Sequence, residues 1–292
     1  MPLTQSNFGL LLSPVTFLRL CVKTCTMTKE IVLLKLGGSL ITDKDTPYTP
    51  RLDKLKELAL EIKTVLDSNP ELLLILGHGS GSFGHVAAKK HGTRDGVHTP
   101  EQWMGFAEVR FQAAELNRFV MESLFNAGVP AISFPPSSSM VSDDRKVIHH
   151  NILAIRKALG VHLLPVVYGD VAFDEKRGGT ILSTEDVFTF LVEQFSPSRI
   201  LLAGIEAGVW EDFPARTKLV KQIQLSDYEK MRAGIGGSAS TDVTGGMKAK
   251  VEEMLALIQR TNGLTAQIFS AEEPGFLERA LRGENVGTLL TA

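Results

Sequence analysis

The sequence predicts an α/β fold, a three-layer αβα sandwich around a mostly parallel central sheet. Three observations predict it. Short apolar runs such as 31–36 (IVLLKL) and 72–76 (LLLIL) read as strands buried on both faces. Segments with apolar residues at helical spacing alternate with them, as crossover connections require. Glycine-rich turns follow the strands, at the carboxyl edge where such sheets bind ligands.

The elements follow in order. The 31–36 strand ends at Gly37-Gly38, and 52–66 places Leu55, Leu58, Ala59, Ile62 and Leu66 on one helical face before Asn69-Pro70 stops it. After the 72–76 strand, 77–85 reads as a glycine-rich loop, with His85 opening a helical segment over 86–90. A long amphipathic helix is predicted over 101–127, closed by Gly128. A strand over 130–134 and a Pro-Pro-Ser loop over 135–139 come next. A strand over 163–168 then runs into Gly169-Asp170. A helix over 187–195, a strand over 200–203, a helix over 251–260 and a strand over 266–269 complete the pattern. Residues 233–240 (AGIGGSAS) read as a mobile active-site loop.

At 292 residues and 43% hydrophobic content the chain can bury a large core. A net charge of −2 gives no overall pull toward nucleic acid or an anionic membrane, so neither is an expected partner. No run approaches the ~20 apolar residues of a bilayer span. Only Cys21 and Cys25 are present, no disulfide framework, which suits a reducing, cytoplasmic setting. Residues 1–26 differ from the rest and read as a disordered extension or a mis-called start, leaving 27–292 as one domain.

The chemistry concentrates in segments that join glycines to cations. The stretch 242–250 (DVTGGMKAK) precedes an apolar helical run, and backbone N–H groups at a helix start favour anions. A second such segment, KLGGS, spans Lys35 to Ser39. Gly-Gly after a strand alone marks a tight turn, but Lys35 sits inside an apolar run, where it is either a snorkelling edge lysine or a cation placed for phosphate. Neither segment is a Walker A loop, and Gly79, Gly81 and Gly84 match G-x-G-x-x-G without the acidic residue a dinucleotide site needs. The 77–85 loop can instead wrap a phosphate, with His85 as either a helix cap, a core histidine or a phosphate ligand. No histidine shows metal-ligand spacing, His149-His150 reads as loop surface, and no side-chain metal site is expected. Asp186, in Ser183-Thr184-Glu185-Asp186, starts a helix, where acids cap; a carboxylate there can also hold catalytic lysines in place.

Together these motifs resemble the amino acid kinases, and among them the members whose acceptor is isopentenyl phosphate. The carrying residues are Lys35 to Ser39 with Thr42-Asp43-Lys44, His78 to His85 (HGSGSFGH), Tyr168-Gly169-Asp170, Ser183 to Asp186, and Asp242 to Lys250. They cover 29–292 in family order; Ser-Phe-Gly-His is the most selective, and is shared with fosfomycin-kinase-like relatives. The resemblance implies ATP and Mg²⁺ as cofactors, a small phosphomonoester acceptor, a homodimer, and an acceptor lobe over 27–190 beside a nucleotide lobe over 191–292. It implies that Lys35 contacts the transferring phosphoryl group, Lys44 supports the phosphates, and Lys250, more than Lys248, grips the donor. Gly37, Gly38, Ser39, Gly81, Gly204 and Gly246 would line the nucleotide site, with Gly38, Ser39 and Gly81 along its phosphates. Ser80, His85 and Gly169 would meet the acceptor, and Asp186 would organise the lysines. A phosphonate acceptor, or a non-catalytic nucleotide-binding role, are the alternatives.

Two departures stand out. Ser80 replaces a glycine of the family's His-Gly-Gly-Gly, which asks whether the backbone there needs positive φ. The strand that commonly ends Thr-Asp-Val-Asp-Gly here runs Ala203-Gly204-Ile205-Glu206-Ala207-Gly208, which changes the side chains offered to the nucleotide. For the isoprenoid tail, Phe106 and Val109 of the 103–111 stretch are the apolar candidates, with ordinary core packing as the other reading.

Overall fold

Strand β1, Glu30–Leu36, sits in the middle of the fold and shows how the layers arise. Side chains alternate along a strand. Leu33 joins a core with Val187, Phe188 and Leu191 on one face. Val32, Leu34 and Leu36 join a second core with Leu55, Leu58 and Ile62 on the other. The protein, a computed structural model that describes residues 29–228 and 246–292, is therefore the expected three-layer αβα sandwich.

The central sheet contains β1, β2 (Leu72–His78), β3 (Ala131–Ser133), β6 (Leu164–Tyr168), β9 (Arg199–Gly204), β12 (Gln222–Gln224), β13 (Thr265–Ser270) and β14 (Thr288–Thr291). Their order is β12-β14-β13-β9-β1-β2-β6-β3. All neighbours run parallel except β13 and β14. Strands from both sides of residue 190 thus share one sheet. Helices α2 (Leu52–Ser68), α4 (Pro100–Asn126) and α9 (Phe276–Leu281) cover one face. Helices α7 (Thr184–Phe195) and α8 (Gly246–Arg260) cover the other.

A smaller sheet, absent from the sequence reading, has the order β5-β4-β7-β8. Its strands are β4 (Met140–Asp143), β5 (Lys146–His150), β7 (Asp170–Asp174) and β8 (Gly178–Leu182). They are four or five residues long and mix apolar with polar residues, with little hydrophobic period to read. His150 is corrected here: it ends β5 buried against Phe190, with ring centroids 5.8 Å apart, and is not loop surface. Helix α6, Ile152–Gly160, also went unread. The glycine-rich loop is shorter than expected. Ladder pairing carries β2 through Gly77 and His78, and helix α3 already begins at Gly81 and ends at His91. His85 therefore lies in the second turn of α3 rather than at its start. The expected 1–26 extension, the 233–240 loop and Asp242 to Gly245 fall outside the described residues.

Candidate active site

Parity along β1 decides what Lys35 can reach. It points the same way as Leu33, toward the layer of α7 and α8. There its ammonium donates to Glu185 at the start of α7, and the two side chains are only 12% and 7% exposed. Burial works to raise the Glu185 carboxyl, but the charge and hydrogen bond of Lys35 and the charge of Lys250 outweigh it, so Glu185 is held below its ordinary range.

Asp186, the carboxylate expected to organise the lysines, is used differently. Its Oδ2 accepts from the Ser183 backbone and hydroxyl at 2.8 Å, while its own N–H donates to Ser183 Oγ at 3.0 Å. This capping box fixes the start of α7. The structure therefore corrects the assignment by one residue: Glu185 holds Lys35, and Asp186 holds the helix end. Successive residues at a helix start face different directions, so an acidic pair is divided between the two tasks.

Two glycine segments close on each other above this pair. Gly37 donates to Ala203 O at 2.8 Å and Gly79 to Leu36 O at 2.9 Å, tying both turns to the carboxyl edge of the sheet. A Cβ on Gly38 would stand 2.5 Å from Gly81 N. Gly81 has φ +49, and a Cβ there would meet Thr42 Oγ1 at 2.3 Å. Thr42 is buried and bridges the segments, donating to Gly38 O at 2.8 Å and accepting from Ser82 N at 3.1 Å. Ser80 answers the question its substitution raised. Its φ is −81°, so no glycine is required there. Its hydroxyl occupies the space left by Gly84, whose added Cβ would meet Ser80 Oγ at 2.3 Å.

A cavity of about 880 Å³ joins these parts. It is lined by Lys35, Gly37, Gly38 and Ser39 of the first segment and by Lys44, exposed on the following loop. Ser80, Gly81, His85, Gly169, Gly204 and Lys250 also line it. Of the expected site residues, Asp186 and Gly246 do not; Gly246 is buried at the start of α8 with φ 73. Glu185 lines it and was missed, although it lay within the recognised motif. Ile205 and Glu206 line the end near β9 and β13, and Glu206 is fixed by Trp210 Nε1 at 3.1 Å and Arg216 at 3.0 Å. Val86, Ala88, Val109, Ala113 and Ile181 supply an apolar wall beside α3. Phe106 belongs instead to an aromatic cluster, 5.2 Å from Trp103 and 5.5 Å from Phe173, so ordinary core packing describes it.

Among the described residues no group of three or more His, Cys, Asp or Glu side chains could hold a metal ion. Mg²⁺ commonly keeps its waters and is carried on nucleotide phosphates rather than in an all-protein cage. His78 is buried beneath the glycine turn, stacked 5.1 Å from Tyr168, and burial drops it to about 4, so its ring is neutral at pH 7.

Glu253 on α8 lies one helical turn from Lys250 and takes a long 3.5 Å hydrogen bond from Thr189 Oγ1. Burial and the nearby Glu185 and Asp186 charges raise it to about 7. A carboxyl with a raised folded value binds more protons folded than unfolded between about 4.5 and 7. Its contribution to stability therefore falls as pH rises through that window and stays low above it. Glu253→Gln should raise the melting temperature at pH 8, by the equivalent of about 1–2 kcal/mol, and change it little near pH 5. Thermal melts across pH check this, and an equal shift at both pH values would refute it.

Comparisons with known proteins bear on the family and the fold. Residues 30–270 match the model of the amino acid kinase family. The chain is 34% identical to the isopentenyl phosphate kinase of Methanocaldococcus jannaschii over 88% of this chain and 97% of that protein. It is 35% identical to that of Methanothermobacter thermautotrophicus over 89% and 99%. A crystal structure of an isopentenyl phosphate kinase superimposes with a TM-score of 0.75 at 30% identity, covering 90% of this chain and all of the other. With the family model matched over residues 30–270 and relatives more than 30% identical along nearly their whole length, the chain belongs to the amino acid kinase family.

Proposed function

We propose that this chain transfers the γ-phosphoryl group of ATP to isopentenyl phosphate, giving isopentenyl diphosphate and ADP. The observation that carries the reading is one cavity lined by Lys35, Lys44 and Lys250 together with His85 and an apolar wall. Cations suit the transferring group, and a histidine on a helix beside a glycine turn suits a second phosphate. Relatives that carry the name isopentenyl phosphate kinase support the choice of acceptor.

An anionic oxygen of the acceptor phosphate forms the new P–O bond as the bond between the γ-phosphorus and its bridging oxygen breaks. The electron pair leaves with ADP. The attacking oxygen is already ionised, so no side chain must take its proton. The protein's work is placement and charge neutralisation. Lys35, held by Glu185, faces the moving phosphoryl group; Lys250 steadies the donor and Lys44 the phosphates between. Gly38, Ser39 and Gly81 let the backbone approach, and His85, Ser80 and Gly169 receive the acceptor. Mg²⁺ bound to ATP would neutralise its phosphates.

Residues 27–190 form the acceptor side and 191–292 the nucleotide side on this reading. The working form is a cytoplasmic homodimer; among the described residues no helix is long and apolar enough to cross a membrane. The apolar wall of Val86, Ala88, Val109, Ala113 and Ile181 favours a hydrocarbon tail over a compact phosphonate.

Purified protein should release ADP from ATP only when isopentenyl phosphate is supplied. His85→Ala should raise the acceptor KM by about tenfold or more while the ATP KM stays within about twofold. A coupled ADP assay reads both. Turnover of fosfomycin but not isopentenyl phosphate would replace the acceptor, and an unchanged acceptor KM would remove His85 from the site.

A further inference from the structure

The tip of the small sheet carries a residue that the local backbone disfavours. Asp143 pairs with Lys146, so Asp144 and Arg145 form a two-residue hairpin turn. Both have positive φ, 49° and 67°. Turns of this kind favour Asp-Gly or Asn-Gly, because the second position is left-handed and a side chain there is strained. Arginine stands where glycine would fold more easily.

The surrounding structure holds Arg145 in place. Buried Asp174, at the end of β7, accepts from the Asp144 and Arg145 amides at 3.1 and 2.8 Å. It also accepts from Ser142 Oγ at 2.7 Å and from the Lys176 and Arg177 amides at 3.1 and 2.9 Å. Burial opposes the charge on Asp174, but these donors outweigh it and keep it ionised. Arg177 in turn pairs with Asp144 and reaches the Asp95 carbonyl at 3.1 Å, locking the tip against the segment after α3.

The Arg145 side chain then lines the main cavity, and its Nε is buried with no hydrogen-bond partner among the described residues. Lys89 and Arg94 line the same cavity beside Asp95. The β4–β7 register places the hairpin tip level with Asp174, four residues beyond Asp170. Arg145 therefore reaches the cavity from the tip of the small sheet, whose strand β7 starts at Asp170, another lining residue. A strained, over-determined residue with an unpartnered buried donor points to function.

We propose that Arg145 is a specificity-determining residue that captures the anionic phosphomonoester as it enters the acceptor end of the cavity, with Lys89 and Arg94 extending the cationic entrance. This rests on the reading of the acceptor as a phosphomonoester. A guanidinium presents its donors in a fixed fork that suits phosphate oxygens, and grouped cations at a cleft mouth raise the capture rate of anions.

R145G tests this without penalising the fold, since it leaves an Asp-Gly turn. Calorimetric titration with isopentenyl phosphate, and separately with inorganic phosphate, at low and high salt would be run on wild type and R145G. The expected result is weaker binding by about tenfold at low salt, a smaller loss at high salt, and a melting temperature equal to or above wild type. Acceptor kcat/KM should fall in parallel, with the ATP KM unchanged, and R145K should recover part of the loss. Equal affinity in R145G and wild type, or a difference that does not shrink with salt, overturns the proposal. The titrations do not need turnover. If wild type fails to phosphorylate isopentenyl phosphate, the acceptor assignment fails, while the wild-type and R145G affinities for inorganic phosphate still decide the role of Arg145.

Discussion

Lys35→Ala should reduce turnover by at least about a thousandfold and destabilise the protein by about 3 kcal/mol. The two losses have different causes. Activity falls because the cation facing the transferring phosphoryl group is gone. Stability falls because Glu185, 7% exposed, keeps its burial and loses its partner. In the wild type the depressed Glu185 carboxyl contributes stability above its unfolded value and loses it as pH falls through the folded value. Without Lys35 the sign reverses: burial then raises the carboxyl, and the variant should be least stable at neutral and alkaline pH. A Lys35→Met/Glu185→Leu double variant should recover most of the stability and none of the activity, because an apolar pair of similar volume needs no compensation. Asp186→Asn is the contrasting case. It weakens a capping box, worth about 1 kcal/mol, and should leave the ATP and acceptor KM values near wild type. Thermal melts with a coupled ADP assay separate these outcomes. An Asp186→Asn loss of activity as deep as that of Glu185→Gln would return the lysine-organising role to Asp186.

The Glu185 and Asp186 result shows where sequence reasoning stops. The motif identified the helix start and its acids, but not which carboxylate faces inward. That choice depends on the helix beginning at Thr184, which lets Ser183 and Asp186 satisfy each other's backbone groups and turns Glu185 toward β1. The central strands were legible because β1, β2, β6, β9 and β13 are apolar on both faces, and that pattern survives without tertiary knowledge. The strands β4, β5, β7 and β8 were not, since their stability comes from cross-strand pairing and from Asp174 binding two turns at once. That buried carboxylate has no sequence signature. Arg145 was invisible for the same reason: nothing in Asp-Asp-Arg-Lys announces a left-handed turn, and only the folded hairpin shows the residue in a position suited to glycine.

Gly81→Ala should be the most damaging substitution among the glycines lining the cavity, costing about 3 kcal/mol or more and at least about a hundredfold in activity. Two effects add. At φ +49 a side chain is strained whatever the space around it, and the new Cβ would lie 2.3 Å from Thr42 Oγ1 and 2.8 Å from Gly38 O. Thr42 cannot move aside without releasing Gly38 O and Ser82 N, the two bonds that set the glycine segments against each other. The approach of those segments places Lys35, carried by one, relative to His85, carried by the other. A displacement of a few tenths of an ångström therefore reaches both ends of the reaction. Gly92→Ala is the control: its φ of +61 brings similar backbone strain, but a Cβ there meets nothing within 4 Å. It should cost about 1 kcal/mol and leave kcat close to wild type. If the two variants behave alike in melting temperature and kcat, backbone strain alone accounts for Gly81, and the contact between the two glycine segments has no part in holding the lysine and the histidine at their working distance.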